Sequence, residues 1–165
     1  MKNSLRLKRR NFLIGSSALL SASASHASAP LLGPSISTFR RFKLGNFEVT
    51  TILSGTRTID NDPQGLFGLN VSKEDFSKVS KENNIPDDRF QMFYTPTIVN
   101  TGSELILFDT GQNPEGTVSA LTSAGYNPNQ IDKVVLTHFH SDHIGGLRNS
   151  DGRIYKNASY YCGEL

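Results

Sequence analysis

Asp132-Lys133-Val134-Val135-Leu136 runs directly into Thr137-His138-Phe139-His140-Ser141-Asp142-His143-Ile144-Gly145-Gly146. Residues 132–136 read as a short buried strand, and the next ten as a loop leaving its carboxyl end. His138, His140, Asp142 and His143 fall within six residues, a density of ligand types for which packing has little use. Imidazole nitrogen and carboxylate oxygen are what a borderline divalent ion such as zinc takes in a catalytic site. In an extended loop His138 and His140 point the same way and suit one ion, while Asp142 and His143, past a bend, reach a second. Gly145-Gly146 lets the backbone come close and turn into the next helix.

Working outward, Leu105-Ile106-Leu107-Phe108 is apolar throughout, as a strand covered on both faces would be. Asp109-Thr110-Gly111 ends it. Asn113 then caps a helix with Pro114 at its first position, Val118 and Leu121 face inward, and Gly125 closes it. Strand, helix, strand in that order implies a parallel crossover and an α/β fold, with residues 137–146 at the carboxyl end of the last strand. Ligand sites of α/β sheets collect there.

Two hairpins are expected upstream. Phe42-Lys43-Leu44 and the run 47–53 flank Gly45-Asn46, and Thr97–Asn100 and 104–108 flank Thr101-Gly102-Ser103. Between them lies a long insert, 54–96, with one helix over Lys73–Glu82 started by a capping box of Ser72 and Asp75. The rest of the insert reads as a lid or binding loop. Phe67, Phe90, Phe93 and Tyr94 are candidates either for lining a pocket or for core packing. Beyond the motif, Ile154-Tyr155 and 158–161 read as further strands.

The 165 residues have the composition of a globular protein, and the formal charge of +2 is misleading. Lys2, Arg6, Lys8, Arg9 and Arg10 lie in the first ten residues, and the remainder holds twelve basic against fifteen acidic residues. No nucleic-acid partner is expected of such a surface. Residues 1–29 read as an export signal: a basic stretch, an apolar run through Leu20, then small residues. Arg9-Arg10 followed by Asn11-Phe12-Leu13 resembles the bacterial twin-arginine type, with an ordinary secretory signal as the alternative. Residues 30–38 read as a linker, order should begin near Phe39, and a periplasmic or secreted location follows. No later segment offers the roughly 20 apolar residues of a membrane span. Cys162, alone in the chain, excludes an internal disulfide and reads as a half-buried strand residue.

The His-x-His-x-Asp-His pattern of 137–146, with Leu107-Phe108-Asp109-Thr110-Gly111 before it, resembles the metallo-β-lactamase fold hydrolases. Leu44-Gly45-Asn46-Phe47-Glu48-Val49, Val99-Asn100-Thr101-Gly102-Ser103 and Ala124-Gly125-Tyr126 look most like the exported branch that includes methyl parathion hydrolase and lactonases. The resemblance covers 39–165 and implies the N-terminal part of an αββα sandwich. It assigns His138 and His140 to one metal and Asp142 and His143 to another, most plainly zinc, with Asp142 also counted as catalytic. Asp109 and Thr137 would stand behind the ligands and steady the loop. The implied reaction is hydrolysis of an ester, lactone, phosphotriester or β-lactam-type small molecule by a metal-bound hydroxide.

Full members of that family are about twice as long, and their second half supplies a further histidine to each metal and an aspartate bridging both. Here the remaining histidine is His26, within the signal. The sequence therefore reads as an incomplete sandwich, inactive alone, with an apolar seam exposed. The alternative to an enzyme is a non-catalytic remnant, or a half-domain that binds metal weakly and requires a second chain or a homodimer.

Overall fold

The computed structural model describes residues 37–164. The export-signal reading of 1–29 and most of the linker lie outside them, and ordered strand begins at Phe39. Six strands form one mixed sheet: β1 (Phe39–Leu44), β2 (Phe47–Ile52), β5 (Thr97–Asn100), β6 (Leu105–Phe108), β7 (Lys133–Leu136) and β10 (Ser159–Cys162), side by side in that order. The first four are antiparallel neighbours, whereas β6, β7 and β10 run parallel. Helix α2 (Pro114–Ser123) makes the crossover from β6 to β7. Asn113 accepts a hydrogen bond from the Gly116 amide, and Pro114 takes the position where a missing N–H costs nothing.

Both expected hairpins form. Leu44 pairs with Phe47 across Gly45-Asn46, and Gly45 sits at φ +60°, which a two-residue loop with glycine first requires. Asn100 pairs with Leu105, so the second loop is one residue longer than the sequence suggested, Glu104 included.

One face of the sheet meets α2. Ile52, Ile98, Leu107 and Val134 project from it and close over Leu121, Ile131 and Tyr155, all fully buried. Thr117 and Ala120 share the inward stripe of α2 with Leu121, while Val118 is only half-buried. By register the other face carries Phe42, Val49, Val99 and Ile106 in one row and Thr51, Thr97, Phe108, Val135 and Tyr161 in the next. Phe42, Leu44, Phe47 and Tyr161 on that side stay 43%, 64%, 46% and 49% exposed, which is the apolar seam in physical form.

The insert carries regular structure of its own. Its ends pair as an antiparallel ribbon, β3 (Gly55–Ile59) with β4 (Phe90–Tyr94), and α1 (Lys73–Glu82) lies at the ribbon's far end. Ser72 accepts the Asp75 amide as an N-cap, but the Asp75 carboxylate takes the Ser72 hydroxyl instead of returning to its backbone, so the box is half made. Ser72→Ala should lower stability by about 1 kcal/mol, the usual worth of such a cap, read from the urea midpoint at unchanged slope.

Two further expectations need correction. Ile154-Tyr155 is a bend, not a strand: Tyr155 drops into the core as an anchor, and the neighbouring ribbon is β8 (Arg148–Asn149) with β9 (Gly152–Arg153). Cys162 is in a strand but exposed, because β10 is the outermost strand. No helix among the described residues is long and apolar enough to cross a membrane.

Candidate metal centre

The motif begins where β7 ends. Thr137 to His140 leave the carboxyl end of β7 without regular secondary structure, and Ser141–Ile144 make a single helical turn, α3, with His140 as its N-cap residue. The three imidazoles gather there: the His138 ring centroid lies 3.8 Å from that of His143 and 4.6 Å from that of His140. Asp142, in the first turn of α3, brings Oδ2 to 3.5 Å from His143 Nε2. The four residues singled out from the sequence are thus brought together, with His138 nearer to His143 than to His140.

Asp109 organises the cluster from below. Its carboxylate accepts the Thr137 amide (2.9 Å) and the Thr137 hydroxyl (2.8 Å), and lies 2.8 Å from His143 Nδ1. Burial pushes this carboxyl group's pKa up, but the Thr137 amide, His143 and the Thr137 hydroxyl together outweigh it and hold the pKa below the ordinary aspartate value. An ionised Asp109 selects the tautomer of His143 with its proton on Nδ1, leaving the Nε2 lone pair free on the side of Asp142. Asp109 does this from φ +59°, a left-handed backbone that aspartate tolerates better than most residues. Thr137 also sets its Oγ1 3.1 Å from His138 Nδ1. The positions expected of Asp109 and Thr137 therefore put them in contact with the cluster.

The donors are nitrogen and carboxylate oxygen, and in kind they fit a divalent ion such as zinc. In number they form a partial shell: among the described residues, no three His, Cys, Asp or Glu side chains converge as a group able to hold an ion.

A cavity of about 130 Å³ adjoins the cluster, lined by Phe93, Tyr94, Thr95, Pro96, Asp109, Asp142 and His143. Of the four aromatic candidates, then, Phe93 and Tyr94 reach the centre. Phe67 and Phe90 meet edge to face at 5.5 Å and line a separate apolar cavity of about 610 Å³ beneath α1, which contains no motif residue.

Sequence reasoning passed over Thr110 and Thr117, buried against Gly146 of the motif, and Ser54, buried against Gly111 and Gly116. Thr110 stands between Asp109 and Gly111 in the turn already singled out, so its place in the sequence was the available signal. Glycines let the backbones meet here: a Cβ on Gly146 would sit on the Thr110 carbonyl oxygen, and one on Gly145 on the Gln112 carbonyl oxygen.

Residues 92–157 match the metallo-beta-lactamase superfamily. Among solved structures, AidC, a dizinc quorum-quenching lactonase in complex with a product, superposes with a TM-score of 0.67 at 27% identity, over 74% of this chain and 43% of its own. The hydrolase AbOPH of the beta-lactamase superfamily gives a TM-score of 0.67 at 24% identity, over 78% and 45%. The fold of 37–164 is therefore part of the metallo-beta-lactamase fold. Of the curated relatives, ribonuclease Z of Pyrococcus furiosus is 39% identical over 70 residues, 42% of this chain and 19% of that protein. The lactamase-like protein adaB of Aspergillus niger is 40% identical over 78 residues, 42% of this chain and 25% of that protein. The chain spans a quarter or less of these curated relatives and under half of the two solved structures.

Proposed function

We propose that this chain carries half of the active centre of a metal-dependent hydrolase of the metallo-beta-lactamase superfamily, acting on a small, neutral lactone, ester or phosphotriester after export from the cell. The observation that carries the reading is the Asp109–His143 contact, an ionised carboxylate on Nδ1 that leaves Nε2 presented beside Asp142 and two more imidazoles. A carboxylate behind a histidine orients it and raises its basicity as a metal ligand.

His138, His140, Asp142 and His143 would hold two ions, with zinc supported by the donor set and by the dizinc lactonase's similarity. When bound, such ions lower the pKa of water to near neutrality and polarise a scissile carbonyl or phosphoryl oxygen. The chain's own residues supply the rest. Asp109 keeps the proton on His143 Nδ1, Thr137 pins the start of the loop to Asp109, and Phe93, Tyr94 and Pro96 offer an apolar wall to the substrate's non-reacting part. The likeness to ribonuclease Z invites an RNA substrate instead. Beyond the first ten residues, however, acidic side chains outnumber basic ones, and that balance favours a small neutral substrate over a polyanion.

Zinc retained by the purified chain should disappear when His138 and His140 are both changed to alanine. Elemental analysis checks this directly, and equal zinc content in parent and double variant would sink the metal assignment. The parent's affinity should itself be weak beside that of a complete site, because each absent donor must be replaced by water.

A further inference from the structure

Helix α3 has four residues, too few to hold itself. Its internal bonds are those of His143 and Ile144 amides to the His140 carbonyl and of the Gly145 amide to the Ser141 carbonyl. The His143 carbonyl takes no amide from the next turn; Leu147, four places on, donates to Ile144 instead. Both hydrogen bonds to the His143 carbonyl come from one buried residue on another element: the Thr110 amide at 2.8 Å and the Thr110 hydroxyl at 2.8 Å. The same hydroxyl oxygen accepts the Gly146 amide at 3.2 Å. Thr110 is in turn held from beneath, its carbonyl 2.6 Å from the Thr117 hydroxyl on α2.

Adjacent residues of one turn thus grip the two ends of His143, Asp109 its ring and Thr110 its main chain. A ring bond alone leaves the side chain free to pivot with its backbone. A main-chain bond alone leaves the ring free to rotate. Only together do they fix where Nε2 points.

We propose that Thr110 is a positioning residue of the metal centre, acting through His143: its hydroxyl, on a residue whose carbonyl is braced by Thr117, sets the main chain of α3 so that the Asp109-bound imidazole faces Asp142. The proposal deepens the metal-dependent hydrolase reading and rests on it for the consequence, not for the contact. Thr110→Val keeps the shape and removes the hydroxyl bonds. The fold should survive, because the His143 carbonyl retains the Thr110 amide and the Gly146 amide retains the Gly111 carbonyl at 3.2 Å.

The test uses the 165-residue chain in two states. In the metal-free protein, nitrogen-detected NMR of the imidazoles should show Thr110→Val shifting the His143 ring resonances and leaving those of His140 in place, with Thr110→Ser restoring the parent spectrum. In zinc titrations followed by calorimetry, Thr110→Val should weaken binding about 10-fold, the scale on which residues behind metal ligands act, and Thr110→Ser should not. In a His143→Ala background, Thr110→Val should weaken zinc binding no further. Unchanged His143 resonances in a folded Thr110→Val protein would overturn the proposal, as would an equal loss of zinc affinity with and without His143. A parent chain that binds no zinc would count against the hydrolase reading, while the metal-free spectrum still decides whether Thr110 sets His143.

Discussion

Asp109→Ala is expected to destabilise the metal-free protein by about 3 kcal/mol, more than removal of any of the histidines above it. Three contacts converge on one carboxylate: the Thr137 amide, the Thr137 hydroxyl and His143 Nδ1. The two bonds from Thr137 are exposed to solvent and the one from His143 is part-buried, so each is worth about 1 kcal/mol, and the part-buried imidazole left unpaired adds a desolvation cost of its own. The backbone adds to this. At φ +59° alanine meets a steric penalty on the order of 1 kcal/mol that aspartate's short polar side chain offsets locally. The order among variants separates the two contributions. Asp109→Asn keeps an acceptor for the Thr137 amide and should cost least. Asp109→Gly relieves the backbone but not the bonds, and should be no worse than Asp109→Ala.

Urea unfolding at pH 7 measures these differences, and pH supplies a control. The folded-state pKa of Asp109 lies below its unfolded value, so its contribution is fully present above about pH 4 and is lost as pH falls through the folded value. The gap between parent and Asp109→Ala should therefore narrow in acid. A gap of under 1 kcal/mol at pH 7 would show that Asp109 does not anchor the loop.

What could be read in the sequence was what is local. Ser72 and Asn113 cap their helices through an amide three residues on, Gly45 makes its turn in two, and the histidine spacing is a pattern of six residues. The β3–β4 ribbon was not legible because its partners are far apart in the chain: Gly55 pairs with Tyr94 and Ile59 with Phe90, and the intervening Gly, Asp, Asn and Pro mask both strands. Tyr155 misled for the opposite reason. A large apolar residue next to an isoleucine suggests a strand, yet burial and backbone conformation are separate matters, and here a bend delivers the ring to the core. The site followed the same division. The donors announce themselves by type and spacing, whereas the hydroxyls of Thr110, Thr117 and Ser54 carry no compositional signal, and only the folded turn shows that Thr110 reaches the carbonyl of a residue 33 positions away.

On the proposed half-site reading, supplying further donors should produce the largest effect of all. Two-metal hydrolysis requires both ions to be held by nearly complete donor sets, usually three protein ligands for a catalytic zinc. Among the described residues no three candidate donors converge; if the chain carries half of the centre, as proposed, it should cleave a lactone or phosphotriester with zinc little faster than zinc in buffer. The dizinc lactonase that matches the fold extends well beyond the matched part, 43% of its chain being covered. Fusing its uncovered portion to this chain should bring in the remaining donors and lay protein over the exposed face that carries Phe42, Leu44, Phe47 and Tyr161. Hydrolysis should then rise by a factor on the order of 10³, the scale on which one essential catalytic element acts in other hydrolases. It should fall back when Asp142 is changed to alanine, since that residue is the carboxylate nearest to His143 Nε2 in the cluster. A fusion that folds and gains nothing would mean that the cluster of His138, His140 and His143 is not arranged as a hydrolase half-site. Strong, chelator-sensitive turnover by the unfused chain would mean that it completes its own donor shells, and analytical ultracentrifugation of that active species would show whether a second copy provides them.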